Sequence, residues 1–413
     1  MYDIIYIGGG LNYAGAVVAA KNGLKVAIIE TSLDKLGGAC LHKGCIPSKM
    51  FLHYANTLRQ SNESVFHGNI TLDMQILTAK KSKLIASATK AVKAQCKDVD
   101  LIEGNGKVIA PHKVEVEGKV YESEYIVIGT GSTPFIPSGI VYDGKAILTS
   151  DEVLELQELP KNIAIYGDGA IGLEMASFFA SSGVEVTLIS HNETLLKKSH
   201  PLIQSAMMKE IEKLGIIHLK KHSVLNAKSI PKGVSVTFED GSFATYDRML
   251  VATGRHPNTK AVATDEIIVN KGIETDAFFE TSLPKHYAIG DCNGKMQLAH
   301  AARAQALNVT MQILNKNPKK LNHDHVVKFI HTLPMSYATV GQNKYTLEKN
   351  SISFKESIVA LNNFTGSAFH RSGNGSMIVY ADEKGLILGA EILAPDAEEL
   401  IAPIAMALVG EIN

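Results

Sequence analysis

Cysteine is scarce in this chain: among 413 residues there are four, Cys40, Cys45, Cys96 and Cys292. So few thiols in so long a chain argue against a structural disulfide framework. Redox chemistry or apolar packing remain as their uses. Charge of one sign is lacking as well. Lys and Arg number 41 against 42 Asp and Glu, so no net field favours nucleic acid or an anionic membrane surface. No apolar run reaches the ~20 residues of a membrane helix. A strand pattern (Asp3-Ile4-Ile5-Tyr6-Ile7) begins at once, without the basic region, apolar core and cleavage site of a signal segment. A cytoplasmic protein with no nucleic-acid and no membrane partner is expected. A metal centre at Cys40 and Cys45 would need further ligands at short spacing. Only His42 is close, so no metal is expected.

What is present is a repeated pattern on the scale of a domain. Residues 3–7 read as a strand, Gly8-Gly9-Gly10 as a tight turn, 14–21 as a helix and 26–29 as a second strand ending in Glu30. The order recurs as strand 162–166, Gly167-Asp168-Gly169-Ala170-Ile171-Gly172, helix 173–181 and strand 184–189, closed by Ala252-Thr253-Gly254. Each copy is half of a doubly wound dinucleotide fold, in which a glycine turn lets the backbone approach a pyrophosphate that helix-start amides stabilise. The second copy is a full G-x-G-x-x-G. The first is irregular: its third glycine position falls on Tyr13, or Gly15 takes part. Glu30, at a strand end, suits a ribose hydroxyl. Helices are expected from Ile46 toward Gln60 and over 74–97, short strands over 101–128, and strands with helices from His325 onward.

Two cysteines four residues apart lie in Gly37-Gly38-Ala39-Cys40-Leu41-His42-Lys43-Gly44-Cys45-Ile46-Pro47-Ser48-Lys49. This segment resembles the redox-active stretch of the pyridine nucleotide-disulfide oxidoreductases, and its Ile-Pro-Ser-Lys ending resembles the dihydrolipoyl dehydrogenase branch. Gly104-Asn105-Gly106, Ile128-Gly129-Thr130-Gly131, Ile289-Gly290-Asp291 and Leu298-Ala299-His300 resemble further pieces of that family's flavin site. The resemblance implies an α/β fold with two Rossmann-like domains and a C-terminal α+β dimerisation domain that is incomplete. The expected segments are 1–148 (FAD), 149–259 (NAD or NADP), 260–323 (a return to the FAD domain) and 324–413 (dimerisation).

The same resemblance implies site residues. FAD would be met by Gly8, Gly10, Glu30, Gly38, Lys49, Gly106, Thr130, Gly131, Asp291 and Ala299. The nicotinamide dinucleotide would be met by Gly167, Gly169, Ile171, Gly172, Ser190 and Gly254. Cys45 would be the flavin-facing thiol, its thiolate favoured by a helix start, and Cys40 the thiol that exchanges with substrate. Lys49 would pair with Glu174 near the flavin. Two electrons would then pass between NAD(P)H, FAD, the Cys40–Cys45 pair and an external dithiol such as a lipoyl group, in a homodimer.

The chain departs from the family at two places. Ser190-His191-Asn192 carries neither the acid of NAD-preferring members nor arginines, with only Lys197 and Lys198 nearby. Cofactor preference stays open, with a lean to NAD and poor discrimination. The sequence ends at Asn413 without the family's His-Pro-Thr-x-x-Glu, and His200-Pro201 is no substitute. Two explanations stand for the short tail, a truncated form, which is favoured, and a protein that naturally lacks this base; weakened pairing and slow dithiol turnover are expected, with His331 and His370 the remaining candidate bases. Two other functions compete with the dithiol–disulfide reading: a nicotinamide-driven flavoprotein reductase of quinones, oxygen or metal ions, and a flavin-retaining assembly or binding protein.

Overall fold

The computed structural model describes residues 1–63, 65–365 and 374–412, so His370 lies outside the described residues. The chain forms two compact units. The first comprises Met1–Pro47, Ala79–Pro134 and Arg255–Leu321, the second Ser48–Thr78, Phe135–Gly254 and Asn322–Asn413. No described helix is long and apolar enough to cross a membrane.

The first unit is built on a sheet whose parallel part runs Asp100–Glu103, Val26–Glu30, Tyr2–Ile7, Lys119–Ile128 and His286–Ala288. Ile4, Ile5, Tyr6, Ile28 and Ile126 are fully buried. Burial on both faces of the sheet explains the unbroken apolar runs that replace alternation here. Each such side chain contributes about 1.5–3 kcal/mol on leaving water. Lys119–Ile128 serves three neighbours: its first half pairs antiparallel with Lys113–Val116, and its second half lies parallel between Tyr2–Ile7 and His286–Ala288. Helices Asn12–Lys21 and Ala299–Ile313 pack together in this unit. The irregular first loop is explained at this contact. A Cβ on Gly15 would lie 2.6 Å from Thr310 Oγ1 and 2.9 Å from the Ala306 carbonyl. Gly15, not Tyr13, thus fills the close-packing glycine role.

The second unit holds a five-stranded parallel sheet in the order Ile217–Leu219, Glu185–Ile189, Asn162–Tyr166, Arg248–Val251, Ile147–Leu148. A separate antiparallel sheet runs Lys328–Ile330, Ser336–Gly341, Ile387–Ala394, Ser376–Ala381, Lys355–Ala360. Glu391, fully buried in that sheet, accepts hydrogen bonds from Tyr337 Oη (2.8 Å), Tyr380 Oη (2.6 Å) and the His200 amide (3.2 and 3.3 Å). Burial raises its pKa, and the donors oppose that rise. Removing a donor from a buried carboxylate costs about 1–3 kcal/mol. Tyr380→Phe is expected to lower the unfolding midpoint accordingly, as measured by thermal or urea denaturation.

Candidate functional site

In both units the site begins where two adjacent parallel strands end and their chains diverge. In the first unit Ile7 pairs with Ile128, and the Gly129 amide donates to the Ile7 carbonyl at 2.8 Å. Gly8 follows with φ +102°, and a Cβ there would stand 2.4 Å from the Gly129 oxygen. In the second unit Tyr166 pairs with Val251, and the Ala252 amide donates to the Tyr166 carbonyl at 2.8 Å. Gly167 follows with φ +118°, and its Cβ would stand 2.3 Å from the Ala252 oxygen. Such ends, at the switch point of a doubly wound sheet, are where these folds take a ligand.

The first cradle is lined by several chain segments. Gly38, with φ +66°, opens the short helix Gly38–His42, and its Cβ would come within 2.7 Å of Gly10 Cα. Gly106 packs on Ile7 and Ile29 at the strand ends. Glu30 accepts from the Gly9 amide (2.6 Å) and from Thr31 N and Oγ1 (both 2.7 Å). Asp291 follows the His286–Ala288 strand and accepts from Ser132 Oγ at 2.5 Å. Arg255 donates to that hydroxyl (2.8 Å) and to the Ser132 carbonyl (2.7 Å). Thr130 donates to the Asn258 carbonyl at 2.5 Å, and Asn258 Nδ2 returns a bond to the Thr130 carbonyl at 3.0 Å. Gly131 has φ +71° with open space about it, and Ala299 opens its helix. Glycine crossings that no Cβ could enter and a helix Asn12–Lys21 without acid in its first turn fit the pyrophosphate of a dinucleotide such as FAD.

Cys40 lies in Gly38–His42, half-buried, and Cys45, exposed, opens the helix Cys45–Ser61. Placement at a helix N-terminus favours the Cys45 thiolate. The His42 ring lies 3.0 Å from the Leu36 carbonyl and is taken up there. Cys96 and Cys292 are buried, and burial pushes each thiol up to about 11, so both stay protonated at neutral pH.

The second cradle has a complete glycine set. A Cβ on Gly172 would sit 1.9 Å from the Gly167 carbonyl oxygen, whereas Gly169 faces open space and Gly254 has φ +128°. Ile171 lies in the first turn of helix Ala170–Ser181, which also carries Glu174. The buried Glu174 accepts from Lys49 Nζ at 2.6 Å and from the His331 amide at 3.0 Å, so two motif residues 125 apart in sequence meet as an ion pair. Ser190 is buried, its hydroxyl donating to the Asn192 carbonyl (3.0 Å) with His218 Nε2 at 2.8 Å. His191 is held between Tyr166 Oη (2.9 Å) and Ser223 Oγ (2.8 Å). Burial, then Lys220, lowers the His218 pKa.

The family described as pyridine nucleotide-disulphide oxidoreductase matches residues 2–306. A dihydrolipoyl dehydrogenase of Bacillus subtilis is 30% identical over 99% of this chain and 92% of its own length. A chloroplastic dihydrolipoyl dehydrogenase of Arabidopsis thaliana is 32% identical over 97% and 76%. Among solved structures, LpdA from Mycobacterium tuberculosis superposes with a TM-score of 0.91 at 24% identity, covering 100% of this chain and 94% of that one. The HOCl-induced flavoprotein disulfide reductase RclA from Escherichia coli gives 0.89 at 24%, with the same coverage.

This chain belongs to the pyridine nucleotide-disulphide oxidoreductase family.

It is therefore one of a family of FAD-dependent enzymes, and its fold follows the full length of those reductases. Sequence reasoning missed three of the residues that shape this family site in the present chain. Ser132 and Arg255 brace Asp291, and Asn258 holds Thr130. Each is a polar residue in or beside the short strand pair Ser132–Pro134 and Arg255–Pro257, with a partner more than 100 positions away, and spacing carries no signal for that. The tightest element of the site is Gly172. Gly172→Ala is expected to push apart the turn and the helix start and to weaken nicotinamide dinucleotide binding by more than tenfold. Titration of NADH or NADPH by calorimetry measures this, with flavin content as the control for folding.

Proposed function

We propose that this chain is a dithiol–disulfide oxidoreductase of the dihydrolipoyl dehydrogenase kind. It binds FAD in the first cradle and NAD or NADP in the second, and exchanges electrons with an external dithiol or disulfide through Cys40 and Cys45. The observation that carries this reading is the duplicated cradle, with glycine–carbonyl approaches of 2.4 and 2.3 Å in the two units. Two dinucleotide sites on one chain imply an internal relay between two cofactors. FAD, when bound, supplies a two-electron centre between a nicotinamide and a dithiol.

The chain's own residues perform the exchange. In the reductive direction the Cys40 thiolate attacks one sulfur of the external disulfide. That S–S bond breaks, and the departing sulfur leaves as a thiolate that takes up a proton. The Cys45 thiolate then attacks the Cys40 sulfur of the mixed disulfide, forming the Cys40–Cys45 bond and releasing the second substrate thiol. The helix start at Cys45 favours a thiolate there in both roles, as attacking and as leaving group. Glu174 holds the Lys49 ammonium at one position, which serves the hydride step by orientation and charge. The chain works as a homodimer, like its family. The exposed apolar residues Met406 and Val409 on the helix Ala402–Val409 support that pairing.

Anaerobic titration of FAD-loaded protein with NADH, NADPH and dihydrolipoamide tests the proposal. Reduction should take up two electrons beyond those of the flavin, with long-wavelength thiolate–flavin absorption that Cys45→Ser abolishes. A protein that takes up no FAD, or whose uptake is unchanged by Cys45→Ser, would sink it. Nicotinamide choice follows from the strand end at Ser190, which presents neither an acid nor an arginine. Discrimination between NADH and NADPH should stay below roughly a thousandfold in kcat/KM, about 4 kcal/mol.

A further inference from the structure

His331 touches two carboxylates at once. Its main-chain amide donates to Glu174 Oε1 at 3.0 Å, the oxygen that also receives Lys49 Nζ at 2.6 Å. Its ring Nδ1 lies 2.9 Å from Glu398 Oε1. Strand Lys328–Ile330 ends its ladder at Ile330, opposite Tyr337, so His331 is the first residue whose amide the sheet does not use. The ring packs edge-on to Phe329, with centroids 5.0 Å apart. Glu398 is itself fixed. It stands in the first turn of Ala397–Leu400, and its Oε2 accepts from Ser336 Oγ at 2.8 Å. Burial alone would raise its pKa, but the bonds from His331, its own amide and Ser336 hold it at about 2. Glu398 is thus a carboxylate at neutral pH, and Nδ1 carries the proton that binds it.

We propose that His331 and Glu398 are a positioning pair for Lys49 and Glu174: Glu398 anchors the imidazole, and the anchored residue holds its amide on Glu174. The inference rests on the hydride-transfer role given above to Lys49–Glu174. The physical reason is the burial of Glu174. A carboxylate removed from water must be met by donors. One of its two donors on Oε1 is a flexible ammonium and the other is this amide. Without the amide the carboxylate turns, and the ammonium follows. A misplacement of about 1 Å near the reacting atoms costs on the order of 10²-fold in rate.

The test uses the full chain and the variants Glu398→Ala, His331→Ala and His331→Asn. Asn places a donor where Nδ1–H stood but has nothing at Nε2. Hydrogen–deuterium exchange of the peptide containing the His331 amide, which needs no flavin, should show protection in wild type and His331→Asn and its loss in the two alanine variants. With FAD loaded, anaerobic stopped-flow reduction by NADH should give limiting rates at least tenfold lower in the alanine variants, with an apparent nicotinamide dissociation constant within about threefold of wild type. His331→Asn should return the rate to within about threefold. Should Glu398→Ala not fold, the His331→Ala and His331→Asn comparison decides alone. Wild-type protection and rate in the alanine variants would overturn the pair. A slow but protected His331→Asn would also overturn it, assigning the role to Nε2 directly. A flavin-loaded wild type that neither NADH nor NADPH reduces would overturn the proposed function instead, while the exchange result would still judge the pair.

Discussion

The architecture depends on one steric constraint, applied twice: the first residue past a central parallel strand must pass the carbonyl at the end of the neighbouring strand with no room for a side chain. At Gly8 and Gly167 a Cβ would meet that carbonyl at 2.4 and 2.3 Å, with φ at +102° and +118°. Only glycine meets both demands without strain. The close approach is what leaves the ends of two helices open to a ligand phosphate, so the same geometry that closes the strand pair creates the cradle. Residues elsewhere answer to it. Gly38 presses on Gly10, Gly172 on the Gly167 carbonyl, and Gly106 on the side chains that finish the first two strands.

The second unit faces a different problem, acids under the surface (Glu174, Glu210 and Glu391), and Glu391 and Glu174 are met in two different ways. Glu391 is fully buried and surrounded by two tyrosine hydroxyls and an amide, with burial raising its pKa. Neutral donors satisfy its oxygens without supplying a countercharge, so this acid braces the sheet. Glu174 instead meets an ammonium and an amide on one oxygen. An ion pair that keeps part of the lysine in solvent (32% of its side chain) avoids most of the desolvation penalty of a buried pair. The first arrangement holds structure together; the second is suited to chemistry.

Much of this was legible from residues 1–50 and 162–190. The strand–glycine–helix pattern located both sheets, and the expected helix from Ile46 toward Gln60 is found as Cys45–Ser61. Pairing of Lys49 with Glu174 was inferred from two motifs and appears at 2.6 Å. The short helix Gly38–His42 was not read, because five residues that begin with a glycine and follow another carry no periodicity. Gly15 was ambiguous because its constraint comes from a helix nearly 300 residues away. The His331–Glu398 contact was hidden for a similar reason. His331 stood only as a candidate base and Glu398 only as part of a segment resembling the dimerisation domain, and nothing in their spacing links a histidine at a strand end to an acid 67 positions on until the fold joins them.

Nicotinamide preference shows most plainly where residue type ceases to predict chemistry. A serine and a histidine at the strand end suggest polar groups offered to a ribose, yet both side chains turn to protein partners. Ser190 is buried against His218 and the Asn192 carbonyl, and His191 is clasped by Tyr166 and Ser223. Side-chain polarity there is spent on securing the turn after the strand. Asn192 completes the arrangement, donating to Asp168 at 2.8 Å inside the glycine loop and accepting from Lys197 at 3.2 Å. The strand end is thus tied to the phosphate loop by an amide that carries no charge, with a lysine on one side and an aspartate on the other. A 2′-hydroxyl finds no acid reserved for it, and a 2′-phosphate no arginine fork. On the proposed function, the recognition energy would come instead from the glycine cradle and the helix start, which treat the two dinucleotides alike.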